Sequence, residues 1–429
     1  MPTDTLSSHQ AVSMADINAL SERISAVLRK TQSDLRAPTG LKQPPSFPAA
    51  HVAEMCGITP AAFARALERA SSEGMPPGEA QPNRMRLFSA EDAQRWVRKY
   101  RKNFLRPTGK RAAIIGIGNF KGGVGKTVMT ACLAQGLTMK GHRVLCIDYD
   151  PQGSLTTMLG LNPVTVTAEQ TVMPIMYRRD DERAKDSLKE VVKQTYWPSL
   201  DIIPSSFQLF SGEFELPLRQ MMANVKGSLE PNFVFSQVLI DALQRDLWYE
   251  YDFILIDTPP ALSYMTLTAF WAADGLLMPI PAEGIDFASS AQFWNMLTEI
   301  STGFQKKSGK AKEFAFILAV PSKIDSQIMT TREMLAMMKG AYGAFYANTE
   351  IPDTAAVRVQ GTMYMTIYDG KDYIGSRKTL QRATDAFDKL VAEVEDNAVH
   401  RIWRSTYSDI NRGVEENPAE ATQGACHGK

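Results

Sequence analysis

Cysteine is scarce in this chain of 429 residues, and its four cysteines, Cys56, Cys132, Cys146 and Cys426, are widely scattered. None of them has a close neighbour at metal-ligand spacing, and together they make no disulfide framework. We therefore expect structural thiols in a reducing compartment, and no cysteine-based metal site.

Long apolar runs and a signal peptide are also missing. No stretch approaches the roughly 20 apolar residues that span a bilayer, and the polar segment Met1–Leu6 lacks a basic region followed by an apolar one. We therefore predict a cytoplasmic protein without a membrane partner.

A hydrophobic content of 44% and a charged content of 22% are enough to form a sizeable core, and the length suggests two or three domains.

Net charge is absent overall, because 47 Lys and Arg balance 47 Asp and Glu, but residues 1–112 hold 17 Lys and Arg against 10 Asp and Glu. A basic front joined to a mildly acidic body is typical of a nucleic-acid module attached to another domain, although surface charge alone would also account for it.

The first predicted element is a helix over Val12–Leu35. Its apolar residues recur at three- and four-residue spacing (Leu20, Ile24, Val27, Leu28), and Ser13 with Asp16 marks its start. The helix precedes a proline-rich linker over 42–48 and has no core of its own. It therefore either pairs with a second subunit, as we predict for residues 1–40, or packs on its own chain.

Residues 45–108 are predicted to form a second unit. A helix near Ala49, a turn at Gly57 and a second helix with Thr59 as N-cap and Pro60 at its first position have helix-turn-helix spacing. A wing over 74–88 and a helix from Ser89 to Tyr100 complete a resemblance to winged helix-turn-helix modules of the MerR-like sort over 47–100. A plain helical hairpin is the alternative. A run of basic residues over 95–111 favours DNA. The predicted contacts are Thr59, Ala61, Arg65, Arg84 and Arg86.

From Arg111 onward, strands and helices alternate. This order predicts an α/β fold with a doubly wound, mostly parallel sheet over 110–405, followed by a polar tail over 406–429. The predicted strands cover 112–118, 143–148, 201–204, 253–257, 275–281 and 314–320. The predicted helices cover 127–140, 234–249, 287–302, 328–339 and 378–404.

The segment Asn119–Thr127 follows the first of these strands and opens a helix. Gly122, Gly123 and Gly125 allow the backbone to approach a phosphate chain closely, Lys126 can reach the β- and γ-phosphates, and the Thr127 hydroxyl can bind Mg²⁺. Phe120 replaces the first glycine of the usual P-loop. The predicted nucleotide-binding residues are Lys121, Gly122, Gly123, Val124, Gly125, Lys126, Thr127 and Val128.

The run Lys121-Gly-Gly-Val-Gly-Lys-Thr127 resembles the variant phosphate loop of the ParA/MinD/Soj superfamily of deviant Walker ATPases, and specifically a large ParA with an N-terminal regulatory domain. The resemblance covers roughly 112–395. It implies ATP and Mg²⁺ as ligands and a homodimer in which Lys121 crosses to the phosphates of the partner subunit. Such a lysine would act as an arginine finger does.

Two carboxylate segments extend this resemblance. Val144–Asp148 predicts a strand that delivers Asp148 and, two residues later, Asp150 to the sheet edge where nucleotides bind. The resemblance implies that Asp150 positions the attacking water and Asp148 lies near Mg²⁺. The apolar strand ending at Asp257 resembles a Walker B segment, so Thr127, Asp148 and Asp257 are the predicted metal residues, and Lys121 and Asp150 the catalytic ones.

Basic residues late in the chain, including Arg358, Arg377 and Lys378, lie where large ParA proteins would bind DNA without sequence preference; a solvated helix face also explains them. The implied function is ATP-dependent segregation of plasmid or chromosomal DNA by a nucleoid-associated dimer. A ParB-like centromere-binding partner would stimulate the ATPase, and the front module would repress its own operon by binding operator DNA.

Three functions other than DNA segregation have requirements that the sequence can be checked against. A membrane-positioning switch needs an amphipathic C-terminal anchor, and residues 413–429 are acidic and proline-broken. An iron–sulfur reductase needs cluster cysteines, and none lies between Cys146 and Cys426. A nucleotide-sensing transcription regulator without a motor role remains open.

Overall fold

The computed structural model describes residues 11–32, 42–82, 85–308, 311–325, 327–362, 364–372 and 375–405. The predicted tail over 406–429 and Arg84 lie outside the described residues. The predicted N-terminal helix is present as α1 (Met14–Gln32), and at its start the Ser13 hydroxyl donates to Asp16 Oδ2 at 2.6 Å, as the sequence indicated.

The front segment forms a small unit of three helices and three short strands. It contains β1 (Phe47–Pro48), α2 (Ala49–Met55), α3 (Pro60–Glu68), β2 (Glu79–Ala80), β3 (Arg86–Phe88) and α4 (Ala90–Tyr100). The Thr59 hydroxyl caps α3 by accepting from Ala62 N at 3.2 Å, and Ser89 caps α4. The core of this unit is formed by Phe63, Phe88 and Trp96. Strand β1, which pairs with β3, was not predicted.

The remainder of the chain builds one seven-stranded sheet. Its strands are β4 (Ala113–Ile117), β5 (Val144–Asp148), β6 (Lys193–Gln194), β7 (Leu200–Ile203), β8 (Phe253–Asp257), β9 (Gly275–Pro281) and β10 (Phe316–Ser322). They lie in the order β10-β9-β4-β8-β5-β7-β6, and β6 is the antiparallel member. The predicted doubly wound, mostly parallel sheet is confirmed.

Helices cover both faces of the sheet. The helices are α5 (Lys126–Met139), α6 (Ser154–Met158), α7 (Gly212–Ala223), α8 (Val238–Asp246), α9 (Tyr264–Ala272), α10 (Gly284–Ser308), α11 (Met329–Tyr342), α12 (Ala355–Thr362) and α13 (Arg377–Asn397). On one face, α5 and α13 pack over the sheet through residues such as Leu133 and Phe387. On the other, α8, α9 and α10 do so through Leu243, Met265 and Phe293. Strands β4, β5, β8 and β9 are fully buried, as the central strands of a parallel sheet covered on both sides require.

Several predicted boundaries are wrong. Helix α10 extends beyond the expected 287–302 at both ends, and α8 is shorter than the expected 234–249. The strand expected over 314–320 runs over Phe316–Ser322, so Pro321 and Ser322 also belong to the sheet. The helix expected over 378–404 ends at Asn397 and continues as a π-helical turn over Ala398–Trp403. Strand β10 lies at the edge of the sheet, where a proline such as Pro321 is tolerated. At the end of α13, no glycine or proline follows Asn397 to mark the boundary.

A buried charged cluster joins the front unit to the sheet domain. Arg101, which follows α4, donates two hydrogen bonds to Glu395 of α13 at 2.9 and 2.7 Å, and His142 Nε2 lies 2.7 Å from the same carboxylate. Burial by itself raises the pKa of Glu395, but the hydrogen bonds from His142 and Arg101 outweigh burial and lower this pKa to about 2. Glu395 is therefore ionised and stabilises the junction at neutral pH.

We expect Glu395→Gln to lower the free energy of unfolding by about 3 kcal/mol at pH 7, because Arg101 loses the partner of a buried ion pair. Since the folded pKa lies below the ordinary value of 4.5, the stabilisation is complete above that value and is lost as the pH falls toward about 2. Urea unfolding at pH 7 and at lower pH measures the difference. The exposed Glu299→Gln is the control, and equal losses for both variants would contradict the prediction.

Candidate nucleotide site

The segment Asn119–Thr127 lies at the carboxyl edge of the sheet, between β4 and α5. Strand β8 pairs with β4 on one side and with β5 on the other, and Asp148 and Asp257 are register partners at the ends of β5 and β8. Ligands of parallel sheets bind at this edge, outside the ends of the strands. The sheet thus brings the glycine-rich loop and the predicted carboxylates together.

The glycines of the loop leave an open cradle. Gly123 and Gly125 have φ angles of 71° and 98°, a conformation that side chains strongly disfavour. A Cβ added at Gly122, Gly123 or Gly125 would meet no atom within 4 Å. The free space above the loop is therefore bounded by backbone alone, as close approach of a phosphate chain requires.

Lys126, the first residue of α5, turns back into the loop. Its ammonium donates to the carbonyl oxygens of Asn119 and Lys121, both at 3.1 Å, and the residue is 7% exposed. Burial lowers the pKa of Lys126, whereas the charges of Asp257 and Asp150 raise it. The ammonium is thus held inside the cradle, where a phosphate oxygen would find it.

Packing on both sides positions the loop. The Phe120 ring lies 4.6 Å from the Phe293 ring of α10, which explains why a bulky residue stands where the usual loop has glycine. Asn119 donates to Pro279 O of β9 at 2.8 Å, and Ser322 of β10 donates to Val124 O at 3.3 Å. The contacts of Asn119 and Ser322 were not predicted, because no local pattern in the sequence marks a hydrogen bond between segments that are distant along the chain.

The carboxylate of Asp148 is fully buried and hydrogen-bonded within the fold. Oδ2 accepts from the amide and the hydroxyl of Thr156 at 2.8 and 2.7 Å, and Oδ1 accepts from Asp150 N at 3.2 Å. Burial, together with the charge of Asp257, raises the pKa of Asp148 well above its ordinary value. Because both oxygens are engaged, this geometry favours a structural role for Asp148 over the predicted contact with a metal.

Asp257 is different. Oδ1 accepts from the Thr130 hydroxyl at 3.2 Å, but Oδ2 is buried and accepts no hydrogen bond from the described residues. Burial raises the pKa of Asp257, and the nearby Thr127 hydroxyl and Lys126 ammonium lower it. A buried carboxylate oxygen without a donor needs a cation to offset its desolvation, so Asp257 beside Thr127 fits a metal ligand.

Asp150 lies on the loop after β5 and is partly exposed. Its Oδ1 accepts from Gln152 N at 3.0 Å, and its carbonyl oxygen accepts from the Ser205 hydroxyl at 2.6 Å. Strand β5 ends at Asp148, so Asp150 is positioned by the loop that follows the strand.

The side chain of Lys121 contacts helix α10. Its ammonium forms an ion pair with Asp286 in the first turn of α10, a residue that the sequence analysis did not identify. The side chain of Lys121 is 39% exposed, whereas that of Asp286 is 3% exposed.

The residues present fit a nucleoside triphosphate with Mg²⁺. The open glycine cradle and Lys126 suit a phosphate chain, and the unpartnered Asp257 oxygen suits a cation. Across the described part of the chain, no group of three or more His, Cys, Asp or Glu side chains is placed to hold a metal. Mg²⁺ typically takes one or two carboxylates and completes its shell with phosphate oxygens and water.

The predicted DNA residues lie in two regions. In the front unit, Ala61 and Arg65 are exposed on α3, Thr59 is used as its cap, and Arg86 donates to Pro77 O at 2.9 Å. In the C-terminal region, Arg358 pairs with Asp353 at 2.9 Å, and Arg377 and Lys378 are exposed in the first turn of α13. That turn contains no acidic residue.

No helix among the described residues is long and apolar enough to cross a membrane.

Comparisons with known proteins indicate the family and the fold of the chain. The model of a family described as an AAA domain matches residues 112–308. A provisionally named replication protein A of Rhizobium rhizogenes is 30% identical over 75% of this chain and 79% of its own length. Protein SopA of Escherichia coli strain K12 is 29% identical over 68% of this chain and 72% of its own length. A solved structure called Partition Protein has the same fold over 90% of this chain and 98% of its own, with a TM-score of 0.61 and 19% identity.

Proposed function

The chain belongs to the ParA family of P-loop partition ATPases, and we propose that it hydrolyses ATP to drive the segregation of plasmid or chromosomal DNA. The observation that supports this most directly is the open cradle at Gly122–Gly125, which lies beside Lys126 and Asp257 at the carboxyl edge of the sheet.

Each residue of the site has a proposed role. The backbone N–H groups of Gly122–Gly125 and of Val128 would hold the phosphates, together with the Lys126 ammonium. The Thr127 hydroxyl and Asp257 would hold Mg²⁺, which neutralises phosphate charge when bound. Asp150, partly exposed at the rim, would orient the attacking water. Asp148 would keep the Asp150 loop in place through Asp150 N and Thr156.

The proposed active form is a homodimer. Lys121 of each subunit would reach the phosphates of its partner, where added positive charge stabilises the charge that gathers in the transition state. Helix α1 supports pairing, because Ile17, Leu20, Ile24 and Val27 are exposed along it at three- and four-residue spacing. A ParB-like centromere-binding partner would then stimulate hydrolysis.

Two DNA-binding regions are proposed. The exposed Ala61 and Arg65 of α3 would read operator DNA and allow the chain to repress its own operon. Arg377 and Lys378 would bind DNA of any sequence, since their charges add to the partial positive charge of the α13 N-terminus. Such binding would place the protein in the cytoplasm on the nucleoid.

We expect Lys126→Ala to abolish ATP binding, because the cradle loses its cation. Asp150→Ala is expected to keep ATP binding while turnover falls by about 100-fold, a typical contribution of a positioned proton-transfer group. Equilibrium binding of a fluorescent ATP analogue and phosphate release separate the two effects. Turnover like that of the wild type in Asp150→Ala would remove this residue from the chemistry.

We expect the double variant Arg377→Ala/Lys378→Ala to weaken binding of nonspecific DNA and to reduce the salt slope by about 2, one for each lost phosphate contact. Fluorescence anisotropy across a salt series measures both quantities. Lys185→Ala/Lys189→Ala is the matched control, because these exposed lysines already pair with Glu190 and Glu250. Equal loss in the two double variants would contradict the assignment.

A transcription regulator without a motor role is separated from the partition ATPase by gel mobility with ATP, with ADP and without nucleotide. The partition ATPase is expected to bind nonspecific DNA only with ATP. Equal binding in all three states would favour the regulator.

A further inference from the structure

The ion pair between Lys121 and Asp286 lies within one subunit. Asp286 is almost completely buried, and its Oδ1 accepts no hydrogen bond from the described residues, so the Lys121 ammonium is the charge partner of that oxygen. If Lys121 left, the carboxylate would keep its burial and lose its counter-ion. Opening the pair is therefore unfavourable, by the modest amount expected when one of the two partners is partly exposed.

The two residues are held in register by packing next to them. Phe120, the neighbour of Lys121, packs against Phe293, and Phe293 lies two helical turns after Asp286 on α10. Consecutive loop residues thus contact one face of one helix. The backbone of the loop is fixed relative to Asp286, so only the partly exposed side chain of Lys121 has to swing for the pair to open.

An ammonium that pairs with Asp286 cannot at the same time reach phosphates of another subunit. Asp286 stays suited to hold it, because a carboxylate in the first turn of a helix is stabilised in its charged form by the helix dipole. Only a stronger concentration of negative charge, such as the phosphate chain bound to a second copy, would draw Lys121 away.

We propose that Asp286 is a positioning residue that retains the Lys121 ammonium in its own subunit and thereby sets the threshold for assembly of the ATP-bound dimer. This inference rests on the proposed role of Lys121 across the dimer. Assembly of a symmetric dimer opens two Lys121–Asp286 pairs, one in each subunit. The effect of Asp286 on the dimerisation constant is therefore the square of its effect on the opening of one pair.

The first test uses the nucleotide-free protein and needs no ATPase activity. We compare the rate of acetylation of Lys121 by mass spectrometry in the wild type, in Asp286→Asn and in Glu283→Gln, which makes the same charge change at an exposed position of the same segment. Asp286→Asn is expected to react about fivefold faster, the upper range for a partly exposed ion pair. Equal rates in all three proteins would overturn the proposal.

The second test measures ATP-dependent dimerisation by analytical ultracentrifugation. Asp286→Asn is expected to dimerise at about 25-fold lower protein concentration and to show higher basal turnover without DNA or partner, because two ion pairs no longer oppose assembly. In a Lys121→Ala background, Asp286→Asn should have no further effect. An unchanged midpoint, or turnover as low as that of Lys121→Ala, would overturn the role of Asp286.

These outcomes are distinguishable from failure of the proposed function. If the wild type binds and hydrolyses ATP while Asp286→Asn matches it in labelling, midpoint and turnover, only the role of Asp286 is wrong. If the wild type neither hydrolyses ATP nor dimerises with it, the proposed function and the inference that rests on it are both wrong.

Discussion

The rest of the site depends on one constraint, which is that the phosphate loop is fixed from both sides before any ligand arrives. Phe120 packs on α10, Asn119 is bound to β9, and Ser322 of β10 is bound to Val124. Because these contacts hold the backbone, Gly123 and Gly125 can adopt left-handed conformations that would otherwise cost entropy to maintain. A cradle held in this way would bind a phosphate chain without first having to become ordered.

The same helix that begins at the cradle also ends at the junction with the front unit. Helix α5 starts at Lys126 and ends at Met139. The carbonyl groups that follow its end accept hydrogen bonds from the front unit: Lys140 O accepts from Arg101 at 2.8 Å, and Gly141 O accepts from Arg98 at 2.5 Å. Cations at this end complement the helix dipole, just as phosphate would at the other. The Glu395 cluster then ties Arg101 to α13, so the front unit and the site share one rigid element.

Much of the fold and of the candidate site could be predicted from the sequence, because the signals are local. Alternating strands and helices fixed the sheet class, and the caps Ser13, Thr59 and Ser89 marked their helices, because capping is a local interaction. The residue types and spacing of the loop Lys121–Thr127 and of the strand ending at Asp257 predicted a site for phosphate and a cation. The ends of β10 and α13 were misplaced, since both are decided by packing against distant segments.

The sequence by itself determined which chemical groups the site contains. It places glycines in the phosphate loop, Lys126 directly after them, and Asp148 and Asp257 at the ends of two strands. Only the tertiary structure decided how those carboxylates differ, because the partners of Asp148, Asp150 and Asp257 come from segments that fold next to them. It also decided where Lys121 rests. Asp286 lies 165 residues away along the chain, and no local pattern reveals a contact that forms only when α10 packs beside the loop.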